Sequence, residues 1–154
     1  VLKGENLGRI LGLDFGSKTT GTALSDPLKT IASPFETIKR DKEGKLRPTL
    51  RRIVEIAVQN DVELIVLGEP LNMDDTRGER AEKSAEFKKM LEHRLEMDGL
   101  NIPVVLWDER LSTVGADEIL EESGIVSSER KQYIDKIAAA LILEDYMNNN
   151  PTSR

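Results

Sequence analysis

The chain has 154 residues, 38% hydrophobic and 32% charged, enough to bury a core without disulfides or metal staples and neither disordered nor membrane-like in balance. With no cysteine and one histidine, His93, it excludes a disulfide scaffold, a thiolate zinc site, a cysteine nucleophile and a multi-histidine metal centre, leaving carboxylate, hydroxyl, lysine and arginine chemistry. The net charge of −6, from 22 basic and 28 acidic residues, argues mildly against a nucleic-acid-binding domain, except where clustered carboxylates are neutralised by divalent cations.

No apolar run approaches the roughly 18–20 residues that span a bilayer. Residues 1–9 lack the apolar centre of a signal peptide. The chain starts at Val1 and not at Met, which suggests trimming at that end and leaves a removed leader open. Residues 9–15 (RILGLDF) are a short apolar run ending in an acid, expected as a buried strand. Residues 20–25 (TGTALS) follow a tight Gly-Ser-Lys turn, and residues 30–38 (TIASPFETI) follow the Asp26-Pro27 turn. Pro34 marks this third strand as an edge strand. A polar loop over 40–45 comes next. Leu50, Ile53, Val54, Ala57 and Val58 then recur at helical spacing behind Pro48, which suits a first turn.

Residues 63–68 (ELIVLG) are expected as a strand buried on both faces, with a loop over 69–77. A charged helix over 78–97 turns Ala81, Ala85, Phe87, Leu91 and Leu95 inward and closes at Asp98-Gly99. Residues 102–107 (IPVVLW) read as another buried strand, with Trp107 in the core. A short helix over 112–122, a loop over 124–130, a helix over 129–147 and a polar tail complete the chain. His93 is expected on a solvated helix surface.

Three strands with short connections imply an antiparallel meander, and alternating helices and strands imply right-handed crossovers with parallel pairing. One mixed five-stranded sheet with helices on both faces accounts for both halves. The whole of 1–154 then forms one domain, with its core over about 9–147. The order matches the ribonuclease H-like fold, which by itself gives no function.

Acids stand at the carboxyl ends of three of these strands: Asp14, Glu69 and Asp108. Open α/β sheets place their sites there. Carboxylates brought together repel and need cations or protons, and oxygen ligands favour Mg²⁺ or Mn²⁺. Asp135 shares a helical face with Ala138, Ala139, Ile142 and Tyr146, and the alanines let that face approach the sheet closely. An acid there is costly unless something compensates it; a metal shared with Asp14 and Asp108 would. Taken singly, each strand-end acid could be a turn or cap residue, Asp135 could pair with Lys131 or Lys136, and Glu69 could be a loop carboxylate beside Pro70. The turn over 14–21 (DFGSKTTG) also suits phosphate, because its glycines admit backbone N–H groups and Ser17, Lys18 and Thr19 offer donors. Actin-like and sugar-kinase ATPases use a similar turn, but between two such domains, and the chain lacks the Walker pattern.

Residues 9–25, 68–74 (GEPLNMD), 108–113 (DERLST) and 135–139 (DKIAA), in this order and spacing, resemble the YqgF family. Those proteins are described as ribonuclease H-like candidate nucleases of pre-16S rRNA, and earlier as candidate Holliday junction resolvases. The resemblance runs from about residue 9 to 147. It implies a cytoplasmic protein of bacterial type acting late in small-subunit rRNA maturation, with Asp14, Asp108 and Asp135 matching the family's active-site acids. Glu69 departs from the usual apolar residue between glycine and proline, and is either a gained fourth ligand or drift.

The resulting expectation is a metal-dependent nuclease on structured RNA, associated with the pre-ribosomal small subunit, monomeric or weakly dimeric and without a membrane partner. Asp14 would bridge two Mg²⁺ or Mn²⁺ ions about 3.5–4 Å apart, with Asp108 and Asp135 holding one each. Lys18, Arg110 and Lys136 would meet phosphates. Ser17, Asn72, Ser112 and Thr113 would bond phosphate or sugar oxygens, and 124–130 would close over substrate. The alternatives are a resolvase acting on branched DNA, a non-catalytic binding module and an actin-like nucleotide-binding fragment.

Overall fold

The computed structural model describes residues 8–70, 78–108 and 127–150, with the side chains of 127–132 outside that description. The expected helix over 112–122, residues 71–77 of the first expected loop and residues 124–126 of the second lie outside the described residues. The elements are β1 (Arg9–Phe15), β2 (Thr19–Ser25), β3 (Ala32–Lys39), α1 (Arg47–Gln59), β4 (Val62–Glu69), α2 (Glu79–Met97), β5 (Val104–Asp108) and α3 (Ser127–Asn149). The last helix starts earlier than its sequence pattern predicts, so 127–130 are helical and not loop.

The strands form one sheet in the order β3-β2-β1-β4-β5. β1–β2 and β2–β3 are antiparallel, and β1–β4 and β4–β5 are parallel. This is the mixed sheet of the ribonuclease H-like fold. Pro34 lies on the outer strand β3, where a missing N–H leaves no gap in the ladder.

Strand alternation divides the core between the two faces. Leu11, Leu13, Phe15, Ile65 and Leu67 pack with Ile53 and Ile56 of α1 and with Phe87, Leu91 and Leu95 of α2. Ile10, Ala23 and Val66 face the other way, against Ala139, Ile142 and Leu143 of α3. Each face thus has its own helical layer, which is why β1 and β4 read as continuous apolar runs.

Local chemistry shifts some boundaries. β3 begins at Ala32 and not near residue 30, because the Asp26 carboxylate accepts hydrogen bonds from the Thr30 N–H at 2.6 Å, the Ile31 N–H at 2.8 Å and Thr30 Oγ1 at 2.6 Å. These hold 26–31 as a turn in which Lys29 takes a positive φ of 59°. The β2–β3 register shifts between Gly21 and Ala23. There Thr22 Oγ1 donates to Glu36 O at 2.7 Å and accepts from Glu36 N–H at 2.9 Å, so a side chain bonds the main chain of the partner strand. On α1, Ile56 is buried and Val58 is 56% exposed, the reverse of the expected stripe. On α2, Ser84 is buried, while Ala85 is only partly so. His93 is exposed, as expected. Trp107 is half-buried, packs edge-on to Tyr146 at 5.3 Å and donates its indole N–H to Asp145 at 2.6 Å, tying β5 to α3. No helix among the described residues is long and apolar enough to cross a membrane.

Candidate active site

The site builds from β1 and β2. Asp14 lies opposite Gly21 in the antiparallel ladder. It follows Ile10 and Gly12 by strand alternation onto the face that carries α3. α3 comes very close to the sheet here. A Cβ added to Gly12 would stand 2.9 Å from Ala139 O, and one added to Gly21 would collide with the Asp135 carbonyl. The two glycines therefore form the track on which α3 rests, and the helix meets the sheet through the main chain of Asp135, over the residue paired with Asp14. Thr19 Oγ1 completes the junction by donating to Asp135 Oδ2 at 2.6 Å. Asp14 and Asp135, 121 positions apart in the chain, are thus brought to one end of one face.

The other two acids form a second group. Glu69 and Asp108 are register partners at the ends of β4 and β5. Counting back to Leu67 and Leu106, which pair on the α1–α2 face, alternation gives Glu69 and Asp108 that face, whereas Asp14 has the α3 face. Three strand ends and α3 thus carry the four acids, Asp14 and Asp135 on one face and Glu69 and Asp108 on the other. The donor chemistry, carboxylate oxygen only, suits a hard divalent cation. Among the described residues, however, no three His, Cys, Asp or Glu side chains are grouped to hold one. Within the expected ligand set, the main chain of Asp135 stands over Gly21, the ladder partner of Asp14.

Ser17 and Lys18 are exposed at the tip of the β1–β2 turn. Lys136 is partly buried, with its ammonium 4.9 Å from the Tyr133 ring centre. Asn72, Arg110, Ser112 and Thr113 lie outside the described residues. Two arginines that sequence reasoning misses stand close to the site. Arg80, on the first turn of α2, donates to Phe15 O at 3.0 Å. Arg40, just past β3, donates through Nη2 to Gly16 O. Neither carries a pattern signal, since one sits in a charged helix and the other at the edge of a polar loop. Gly21 does carry one: a glycine inside a strand marks a close backbone approach.

A family model described as RuvX, Holliday junction resolvase, matches residues 8–149. A relative from Lachnospira eligens is 54% identical over 141 residues, covering 92% of this chain and 97% of the relative; one from Agathobacter rectalis is 49% identical over 146 residues, covering 95% and 99%. Both bear the name of a candidate pre-16S rRNA nuclease. Among solved structures, RuvC of Thermus thermophilus in complex with a Holliday junction substrate aligns with a TM-score of 0.56 at 15% identity, covering 96% of this chain and 98% of that one. That likeness is one of fold alone.

Proposed function

Because the chain belongs to the RuvX family, the family its motifs resemble under the name YqgF, we propose that it is a nuclease hydrolysing phosphodiester bonds in the maturation of pre-16S rRNA. The observation that carries this reading is the near full-length match to relatives bearing that name. The placement of Asp135 over Gly21, the ladder partner of Asp14, supports it from the side of geometry.

In this reading Asp14 and Asp135 would hold Mg²⁺ or Mn²⁺ from the α3 side, with Asp108, and Glu69 as a candidate fourth ligand, reaching the ion from beyond the ends of β5 and β4. A bound divalent ion would activate a water and stabilise the leaving oxygen. The chain's own polar groups bind and orient. Thr19 donates to Asp135 and so fixes one carboxylate oxygen, while the exposed Lys18 and Ser17 meet phosphate, together with Lys136. Asn72, Arg110, Ser112 and Thr113 extend the same surface. The chain acts as one domain, monomeric or weakly dimeric, in the cytoplasm and on the pre-ribosomal small subunit.

A second reading, cleavage of a four-way DNA junction, is favoured by the description of the family model. One experiment separates the two. A 5′-extended 16S precursor RNA and a four-way DNA junction are incubated with the protein, with and without Mn²⁺. Metal-dependent cleavage of the RNA is expected, with none by a folded Asp14→Asn variant, which removes charge and nearly preserves shape. Cleavage of the junction alone would favour the second reading. Full activity of Asp14→Asn would remove the acid assignment.

A further inference from the structure

A buried cation lies beneath the β1–β2 turn. Arg40 is only 7% exposed, yet its guanidinium donates to two neutral acceptors, Thr20 Oγ1 at 3.1 Å and Gly16 O. Its main-chain N–H donates to Lys18 O at 2.8 Å. The guanidinium lies 4.7 Å from the centre of the Phe15 ring, and that ring stacks on Phe87 of α2 at 4.1 Å with an 11° tilt. Arg40 Nε is buried with no hydrogen-bond partner. Burial disfavours the charge and outweighs the Glu43 carboxylate, which favours it, while Arg80 opposes it further. A buried charge hydrogen-bonded only to neutral acceptors, with one donor unused, is an expensive arrangement, so net stability is a poor reason for it. Geometry is a better one. Only a guanidinium reaches a strand hydroxyl and a turn carbonyl at once from a planar fork, while offering a flat face to an aromatic ring. Arg80 caps the neighbouring carbonyl, that of Phe15. The two residues that follow Asp14 are therefore each held through their carbonyl by an arginine from a different part of the chain. The turn closes on itself through Gly16 N–H to Thr19 O at 2.7 Å.

We propose that Arg40 is a positioning residue for nucleic-acid binding, which fixes the β1–β2 turn through Gly16, Lys18 and Thr20 so that Ser17 and Lys18 meet a phosphate backbone in one preset geometry. Arg40 itself never touches substrate. The proposal rests on the reading of Lys18 as a phosphate contact.

The test uses the full chain with Arg40→Lys, Arg40→Gln and Thr20→Val. The last variant removes one acceptor and keeps the arginine, so it serves if the Arg40 variants fail to fold. Amide hydrogen exchange on the protein alone comes first. The Gly16 and residue-40 amides, which close the turn, should exchange at least about tenfold faster in each variant, while Leu11 and Leu13 in β1 stay protected. Arg40→Lys, which keeps the charge and loses the fork, should behave like Arg40→Gln. Binding of a non-cleavable structured RNA is then measured for Lys18→Ala in the native and Arg40→Lys backgrounds. Lys18→Ala should weaken binding about fivefold in the native chain and less than about twofold in the Arg40→Lys chain, a coupling that independent sites lack. Unchanged exchange at Gly16, or full protection in Arg40→Lys, would overturn the clamp. Faster exchange with additive binding losses would leave Arg40 purely structural and overturn the positioning role. Native binding insensitive to Lys18→Ala would overturn both the Lys18 contact and this proposal, and the exchange data distinguish that failure from failure of the clamp.

Discussion

Asp26 shows how one side chain sets a boundary that periodicity misses. Burial pushes its carboxyl up, but hydrogen bonds from the Thr30 side chain and the Ile31 and Thr30 main chain outweigh burial and hold it at about 2, down from 3.8. The ionised form is thus favoured by folding. Its contribution is complete above pH 3.8 and is lost as pH falls through about 2. The melting temperature of the native chain should therefore fall more steeply than that of Asp26→Asn between about pH 4.5 and pH 2, with the two curves converging at the acid end. Parallel curves would show that Asp26 is no more than a surface carboxylate. Other single residues divide the same way between legible and hidden. Pro34 declares an edge strand because it lacks a donor wherever it sits. Val58 satisfies helical spacing yet faces solvent, since α1 turns Ile53, Ile56 and Ala57 inward, and only the rotation of a packed helix decides which side of a broad apolar stripe is covered. Arg40 is invisible in sequence, because a cation next to a polar loop looks solvated until the strand beside it is in place.

The elements themselves were readable because each buried face imposes its own period. β1 and β4 are apolar on both sides, as a sheet with a helical layer on each face requires, and the acids at their ends stand out against that background. What the chain's pattern does not reveal is which acids meet. Glu69 and Asp108 become neighbours through the β4–β5 register, and Asp14 approaches Asp135 only because α3 rests on Gly12 and Gly21. Both depend on contacts between distant segments and not on local spacing. The α3 contact gives a prediction at this scale. Gly21→Ala places a methyl group against the backbone of Asp135, which cannot rotate away as a side chain would. The variant should lose about 1–3 kcal/mol in urea unfolding and, if still folded at working temperature, cleave more slowly, because α3 is displaced together with its acid. Native stability in this variant would show that the helix has room to spare.

Over the whole molecule, a charge of −6 sets the terms on which a phosphate backbone can approach. Repulsion reaches only about 8 Å at ~0.15 M salt, so the local field at the strand ends decides binding. Affinity for a non-cleavable structured RNA should rise on adding Mg²⁺ or Mn²⁺, and Asp135→Asn should shrink that rise, as measured by binding isotherms with metal and in EDTA. Monovalent salt should weaken binding by a small power only, since few phosphates are neutralised. Equal affinity in EDTA and Mn²⁺ would favour a binding module without catalysis. The hydrogen bond from Thr19 to Asp135 also spans 116 positions of the chain, and that distance is a delay as well as a separation. At about 5–20 residues per second, a ribosome emits Asp135 roughly 6–23 s after Thr19. The five strands, together with α1 and α2, have by then left the tunnel ahead of the helix that brings the second acid. Until then a nascent chain carries the turn and Asp14 without Asp135, so the Thr19–Asp135 contact closes only after the sheet is complete.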